Sequence, residues 1–215
     1  MCCKTHRMPS TSHQRPFPAP VFEGRDLDLD EYLFDGTDFT RAHAEGASFL
    51  DCRLVGCDVT EAALDGTRWS DCGWERVQGV GFSLADASLI GTTIEQCRLA
   101  AVSAWSSSWR DVIVRGGKID FLNLRSAKLK NVAFEDCVII ELDLQEAECV
   151  GVTFAGCTLV EPAFGRGRYA GLDLSGAQLR SPQGVTSLRG ATISRLQLID
   201  LAEVLAAEAG LRLAE

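Results

Sequence analysis

Residues 47–59 read Ala47-Ser48-Phe49-Leu50-Asp51-Cys52-Arg53-Leu54-Val55-Gly56-Cys57-Asp58-Val59. A large apolar side chain stands at 49, 54 and 59, and a small one stands two residues before each, at 47, 52 and 57. Both series continue in phase far beyond this stretch. At the 30 positions stepped by five from Phe34 to Leu179, every residue except Gly79 is apolar, in a chain that is 46% hydrophobic overall. In the companion series, 32 through 177, 24 of 30 residues are small or slender; Tyr32, Phe82, Leu122, Leu142, Pro162 and Leu172 are the larger members. A period of five fits neither a helix at 3.6 nor a strand at 2.0, so it specifies a repeat architecture.

Two inward residues in five leave three facing solvent, which is what a chain needs if each five-residue stretch forms one side of a narrow coil. The large residue fills the axis and the small one lets the chain turn close to the next side. Backbone hydrogen bonds then run to the coils above and below, at about 4.8 Å. The period alone does not choose four sides over three. Segments such as Ala47-Ser48-Phe49-Leu50-Asp51, Ala87-Ser88-Leu89-Ile90-Gly91, Ala127-Lys128-Leu129-Lys130-Asn131 and Ala177-Gln178-Leu179-Arg180-Ser181 resemble the A-(D/N)-L-x-x units of the pentapeptide-repeat family, over about 150 of 215 residues. The resemblance implies an all-β solenoid, a right-handed quadrilateral parallel β-helix of about seven to eight coils. On four sides, residues 20 apart stack, so Phe34, Leu54, Trp74, Ile94, Val114, Phe134, Phe154 and Leu174 form one axial ladder. A second ladder holds Phe39, Val59, Gly79, Leu99, Ile119, Ile139, Leu159 and Leu179. Gly79 leaves a gap in its layer, and bulky Phe82 stands three residues on to fill it, since interiors avoid voids.

Residues 1–20 lack the five-fold register and hold four of the six prolines, so they are expected to be a disordered tail. The coil is expected from about Val21 to Ile193, because Leu27 and Leu29 already fall in phase. After Leu179 the phase slips by one residue, to Leu188 and Ile193, with Pro182-Gln183-Gly184 at the interruption. Ser194-Arg195-Leu196-Gln197 then reads as a capping box, and the Ala- and Leu-rich run that follows predicts a helix within 194–215, stopped at Gly210. A solenoid's open end must be covered. Leu196, Leu198, Ile199, Leu201, Val204 and Leu205 lie nearly all round this helix, more apolar surface than a lid requires. The expectation is a capping helix that also pairs two copies of the chain, and the family resemblance implies the same, because topoisomerase-directed members dimerise through a C-terminal segment.

Nine cysteines would suggest disulfides in a small secreted protein. Here Cys52, Cys57, Cys72, Cys97, Cys137 and Cys157 fall in the small inward series and Cys149 in the large one, the positions of buried, reduced thiols. Reduced thiols point to the cytoplasm. The sequence holds no secretory apolar region after Met1 and no run of 18 apolar residues, so neither a signal peptide nor a membrane span is expected. Cys2, Cys3, His6 and His13 match no zinc spacing, and no metal or cofactor is expected.

A filled rod has no cleft in which catalytic groups converge, and no phosphate-binding glycine motif, Cys-x-x-Cys pair or nucleophile elbow is present, so no enzyme is expected. His43, beside inward Ala42 and Ala44, is expected on the surface. Function then lies on the outer faces. The net charge of −9, with 30 acidic and 21 basic residues, argues against direct nucleic-acid binding. Between 32 and 181 there are 21 acids and 14 bases, and only the side centred on Phe49 has more bases (5) than acids (4), with Arg110, Lys128 and Lys130 close together. On the side centred on Phe39, the apolar Phe121, Val138, Ile140 and Val160 point outward, the pattern of a protein contact. The first expectation is a scaffold for protein–protein interaction through these faces. The alternative is DNA mimicry: a rod with acidic rows about 4.8 Å apart fits a positively charged DNA groove. The resemblance implies this too, since some pentapeptide-repeat proteins bind DNA gyrase and confer resistance to quinolones or other gyrase poisons; the chain resembles the loop-free kind.

Overall fold

The computed structural model describes Arg15, Pro16 and residues 27–212. The rest of the expected tail and the expected start of the coil near Val21 lie outside the described residues. The chain forms a right-handed quadrilateral parallel β-helix of about eight coils, the hand that parallel crossovers favour, closed at its C-terminal end by short helices. Among the described residues all strand pairings are parallel, and from Asp28 to Arg180 they join residues 20 apart. Leu54 pairs with Trp74, Trp74 with Ile94, Val114 with Phe134 and Phe134 with Phe154, reproducing the first ladder read from sequence. Gly79, Leu99, Ile119, Ile139, Leu159 and Leu179 pair in succession as the second.

We number the four sides by their ladders: first (Phe34), second (Phe39), third (Ala44) and fourth (Phe49). The first and fourth share one 13-stranded sheet because the strands Ser108–Arg115, Lys128–Glu135 and Glu148–Ala155 run round the corner between them. The second side is a six-stranded sheet and the third a three-stranded one. The register departs from 20 at the two ends. Arg15 pairs with Tyr32, and Asp173 pairs with Thr192, 19 residues on, which is the one-residue slip seen after Leu179.

The axis is filled. Phe34, Trp69, Trp74, Phe134 and Phe154 are buried completely or nearly so, and each buried large side chain contributes about 1.5–3 kcal/mol. Phe49 stacks on Trp69 with ring centroids 3.8 Å apart, and Phe134 on Phe154 at 4.6 Å. Trp69 Nε1 donates to Thr67 Oγ1 (2.9 Å), satisfying a buried N–H. A Cβ added at Gly79 would lie 2.5 Å from Val59 Cγ2 and 3.3 Å from Phe82 Cδ1, so these two side chains occupy the space a larger residue would need.

The small inward series has a backbone reason. At many corners its N–H closes a turn onto the carbonyl of the large residue three positions earlier, as in Ala47 to Ala44 (3.1 Å), Ala87 to Leu84 (3.1 Å) and Ala127 to Leu124 (3.1 Å). A bulky side chain there would meet the next side as the chain turns. Where the series carries a polar atom, it bonds inward: Thr67 Oγ1 donates to Leu64 O (2.6 Å), and the Cys52 thiol to Leu29 O (3.4 Å) and Leu50 O (3.3 Å). The seven cysteines from Cys52 to Cys157 are free and buried. Burial pushes the Cys57 thiol up to about 11 and those of Cys97 and Cys149 up to about 12, so they are inert as nucleophiles.

The residue just before each small inward one is commonly left-handed. Among the described residues, eighteen that are not glycine, including Glu31, Asp51, Asp71, Ala101 and Glu141, have φ between 49° and 61°. Each costs roughly 1–2 kcal/mol in an isolated chain. The ladder offsets this, because corner amides donate to the next coil, as in Asp51 N to Ser70 O (3.0 Å) and Asp71 N to Ile90 O (2.9 Å).

The segment expected as one helix is two: α1 (Arg195–Asp200) and α2 (Ala202–Glu208). Leu201, with ψ −6°, breaks the helix between them, although i to i−4 bonds from Leu201 to Gln197 and from Leu205 to Leu201 (both 2.8 Å) persist across it. The capping box is present: Gln197 N donates to Ser194 Oγ (3.2 Å) and Ser194 N to Gln197 Oε1 (2.7 Å). At the far end, Gly210 (φ 78°) and the bond from Leu211 N to Ala206 O (2.9 Å) form a glycine-terminated helix stop.

Candidate interaction surfaces

With the axis packed, the groups open to a partner are on the four sides and at the C-terminal end. His43 is exposed, 3.4 Å from Glu45 through Nδ1. Among the described residues no cluster of His, Cys, Asp or Glu has the arrangement of a metal site, and no helix is long and apolar enough to cross a membrane. Cys2, Cys3, His6 and His13 lie outside the described residues.

On the second side Ile140 and Val160 are direct cross-coil partners, both half-buried, and Val138 (39% exposed) pairs with Lys118 and Thr158 in the neighbouring row. The sequence expectation named these three together with Phe121 as an outward apolar patch. Phe121 is half-buried at the turn out of this side, where its carbonyl accepts from Val102 N (2.8 Å). Further along the same side lies a broad groove of about 1110 Å³, lined by Gln78, Val80, Arg98, Ala100 and Lys118. Inside the rod, Phe82 fills the space at Gly79 as read from the sequence, together with Val59.

The acidic character is unevenly neutralised. Arg115 bonds Glu95 (2.9 Å) and Glu135 (2.8 Å) across two coils, and Arg41, Arg125 and Arg168 pair with Glu61, Asp143 and Glu148. Glu31, Asp51 and Asp71 stack on successive coils at the corner between the fourth and first sides. Burial and then repulsion from Asp71, Asp30 and Glu31 raise the Asp51 carboxyl above the usual carboxylate range.

The fourth side gathers Arg110, Lys128 and Lys130 beside Ser88, Ser108, Ile90 and Val150 around a shallow groove of about 340 Å³. The basic cluster was legible because the 20-residue coil sets its members side by side.

At the C-terminal end the six apolar helix residues separate. Leu201 is buried (3% exposed), Val204 and Leu205 are half-buried, and Leu196, Leu198 and Ile199 are 74%, 52% and 71% exposed. Two polar residues, Gln197 and Glu208, fasten the helices. Gln197 Nε2 donates to Leu174 O and Ala177 O (both 2.7 Å), covering carbonyls of the last coil. Glu208 accepts from the N–H groups of Gly184 (2.7 Å), Val185 (3.2 Å) and Thr186 (2.9 Å). The capping-box spacing signalled Gln197 but not its second role; nothing local signals Glu208.

A family model described as pentapeptide repeats (8 copies) matches residues 33–69. Among curated proteins, the pentapeptide repeat protein MfpA of Mycobacterium tuberculosis (strain H37Rv) is 27% identical over 103 residues, 48% of this chain and 52% of that protein. The chain thus matches about half the length of this curated relative. Among solved structures, full-length QnrB1, a plasmid-mediated fluoroquinolone resistance protein, is 20% identical with a TM-score of 0.39, covering 85% of this chain and 98% of that one. HetL from the cyanobacterium Nostoc sp. strain PCC 7120, a pentapeptide repeat protein involved in heterocyst differentiation regulation, is 17% identical with a TM-score of 0.28, covering 80% and 90%.

Proposed function

This chain is a pentapeptide-repeat protein, and from that premise we propose that it is a non-enzymatic scaffold, working in the cytoplasm through protein–protein contacts on its outer faces. The observation that carries this reading is the packed axis: ladder residues from Phe34 to Leu174 are buried, so recognition falls to exposed side chains. The second-side patch of Val138, Ile140 and Val160, flanked by Phe121, is the proposed partner surface. The test is affinity capture from host lysate with the wild type and with Val138→Glu/Ile140→Glu. Loss of the same captured protein in the variant supports the reading, and identical capture overturns it.

The chain is further proposed to act as a homodimer joined at its C-terminal end. Three large apolar side chains of α1, Leu196, Leu198 and Ile199, stand in solvent there, and contiguous exposed apolar groups mark contact sites. Leu201, Val204 and Leu205 serve mainly to seat the helices.

A second reading, a DNA-mimicking modulator of DNA gyrase that protects against gyrase poisons, is favoured by the stacked Glu31, Asp51 and Asp71, whose coil spacing of about 4.8 Å sets carboxylates in a row. QnrB1 is described as a fluoroquinolone resistance protein, which is consistent with it. Supercoiling assays with purified gyrase test it: inhibition or poison protection at micromolar protein supports the reading, and no effect with no binding removes it.

A further inference from the structure

The fourth side carries a feature that the scaffold reading leaves unused. Along one row Ile90, Arg110, Lys130 and Val150 are successive cross-coil partners; in the neighbouring row Ser88, Ser108, Lys128 and Glu148 follow one another. Arg110 stands directly opposite Lys130, and like charges so placed destabilise a sheet. On the first side, by contrast, Arg115 has two carboxylate partners, Glu95 and Glu135. Among the described residues no ion pair involves Arg110, Lys128 or Lys130. Asp111, next to Arg110 in the chain, accepts from Asn131 Nδ2 (3.0 Å), and Glu148, the cross-coil partner of Lys128, accepts from Arg168 (2.7 Å). Three exposed cations therefore border one shallow groove, with Ile90 half-buried at one end and Val150, 47% exposed, beside Glu148 at the other.

We propose that this groove binds an extended acidic peptide segment of a partner protein, with the pattern apolar-x-acidic-x-apolar, lying along the rod axis. Successive coils are about 4.8 Å apart, so Ile90 to Val150 spans about 14 Å. An extended chain rising about 3.4 Å per residue covers that distance in four steps, and its side chains alternate, so residues i, i+2 and i+4 face the groove. The apolar residues at i and i+4 then lie over Ile90 and Val150. The carboxylate at i+2 falls between Arg110 and Lys130 and beside Lys128, relieving their repulsion with charge-assisted hydrogen bonds. Ser108, exposed between the two rows' cations, supplies a further hydroxyl donor. A nucleic acid fits less well, because the apolar ends offer nothing to phosphates and the chain's net charge of −9 repels them. The site lies on a different side from Val138 and Ile140, so its failure would leave the second-side contact standing.

The test is fluorescence anisotropy of a labelled peptide, Ser-Leu-Thr-Glu-Thr-Leu-Ser, against the full chain. Saturable binding is expected, weakened about tenfold or more by replacing the peptide's Glu with Gln, and by Arg110→Ser/Lys130→Ser in the protein. Raising salt should weaken binding too. Both protein positions are exposed, so the variant keeps its fold, which circular dichroism verifies; Thr40→Ala, exposed on another side, should bind as the wild type does. The proposal is overturned by an absence of saturable binding at about 1 mM protein, by equal affinity for the Gln peptide, or by an unaffected double variant. It is also overturned if a short DNA duplex binds in preference to the peptide and loses affinity in the same variant.

Discussion

The Glu208 carboxylate accepts from both the backbone N–H and the hydroxyl of Thr186, at 2.9 and 3.0 Å. Together with the bonds from Gly184 and Val185, these place the last turn of α2 over the N-terminus of the short 3-10 turn Val185–Ser187. Burial works to raise the Glu208 carboxyl, but the hydrogen bonds from Thr186, Gly184 and Val185 outweigh it and hold it below its ordinary value.

Because the folded value is lowered, the clamp stabilises docking fully above the unfolded carboxyl's value of about 4.3, and that stability is lost as pH falls from there through the folded value. Hydrogen exchange in 202–208 should therefore accelerate in acid before the coils do. Glu208→Gln should mimic the effect at neutral pH, costing about 1 kcal/mol locally at this solvent-exposed site. Equal protection of α2 in the variant and the wild type at pH 7 would contradict the clamp.

Gln197 joins the capping box to the last coil. Gln197→Ala leaves the Ala177 carbonyl without its donor in a buried setting and the Leu174 carbonyl with the Ala177 N–H as its remaining donor (2.9 Å), at an expected cost of about 1–3 kcal/mol. The loss should appear as a lower thermal midpoint and as exposure of residues near 174–177 to exchange. Ser194→Ala, which removes only the cap, should cost about 1 kcal/mol.

Ala101 is exposed at a corner with φ 54°. Ala101→Gly should relieve backbone strain and stabilise the chain by roughly 0.5–1 kcal/mol after the entropy of the unfolded glycine is deducted. Ala101→Val should destabilise it, because β-branched residues tolerate this conformation poorly. Urea denaturation distinguishes the two, and the same sign for both would contradict the strained-corner account.

Leu196→Glu/Ile199→Glu should halve the mass seen by light scattering to that of a 23.3 kDa monomer while leaving the thermal midpoint of the coils unchanged. Leu201→Glu should act otherwise, undocking the helices because Leu201 is buried. A wild-type chain that is already monomeric would end the dimer proposal.

How much could be read from the chain differs from element to element. Phe34 through Leu179 announced the axis, because a side chain's place on a solenoid depends only on its phase, and phase is local arithmetic. The same arithmetic set Arg110, Lys128 and Lys130 together and located the slip after Leu179. It could not say that those cations lack carboxylate partners, since pairing depends on which rotamer Glu148 or Asp111 adopts. Ser194 and Gln197 showed where the helix begins, whereas the break at Leu201 follows from docking against the last coil.

The amino-acid order by itself determined the repeat, the inward and outward residues, and the need for a cap, because burial of two residues in every five admits few backbones. Only the tertiary structure decided which apolar helix residues are covered. Leu201 faces protein and Leu196 faces solvent because the end of the final coil, fixed by contacts from Gln197 and Glu208 to residues some 20 positions away, sets the orientation of the helices. It also assigned left-handed backbone to corner residues as ordinary as Ala101, since hydrogen bonds between coils, not local preference, hold the chain in that conformation.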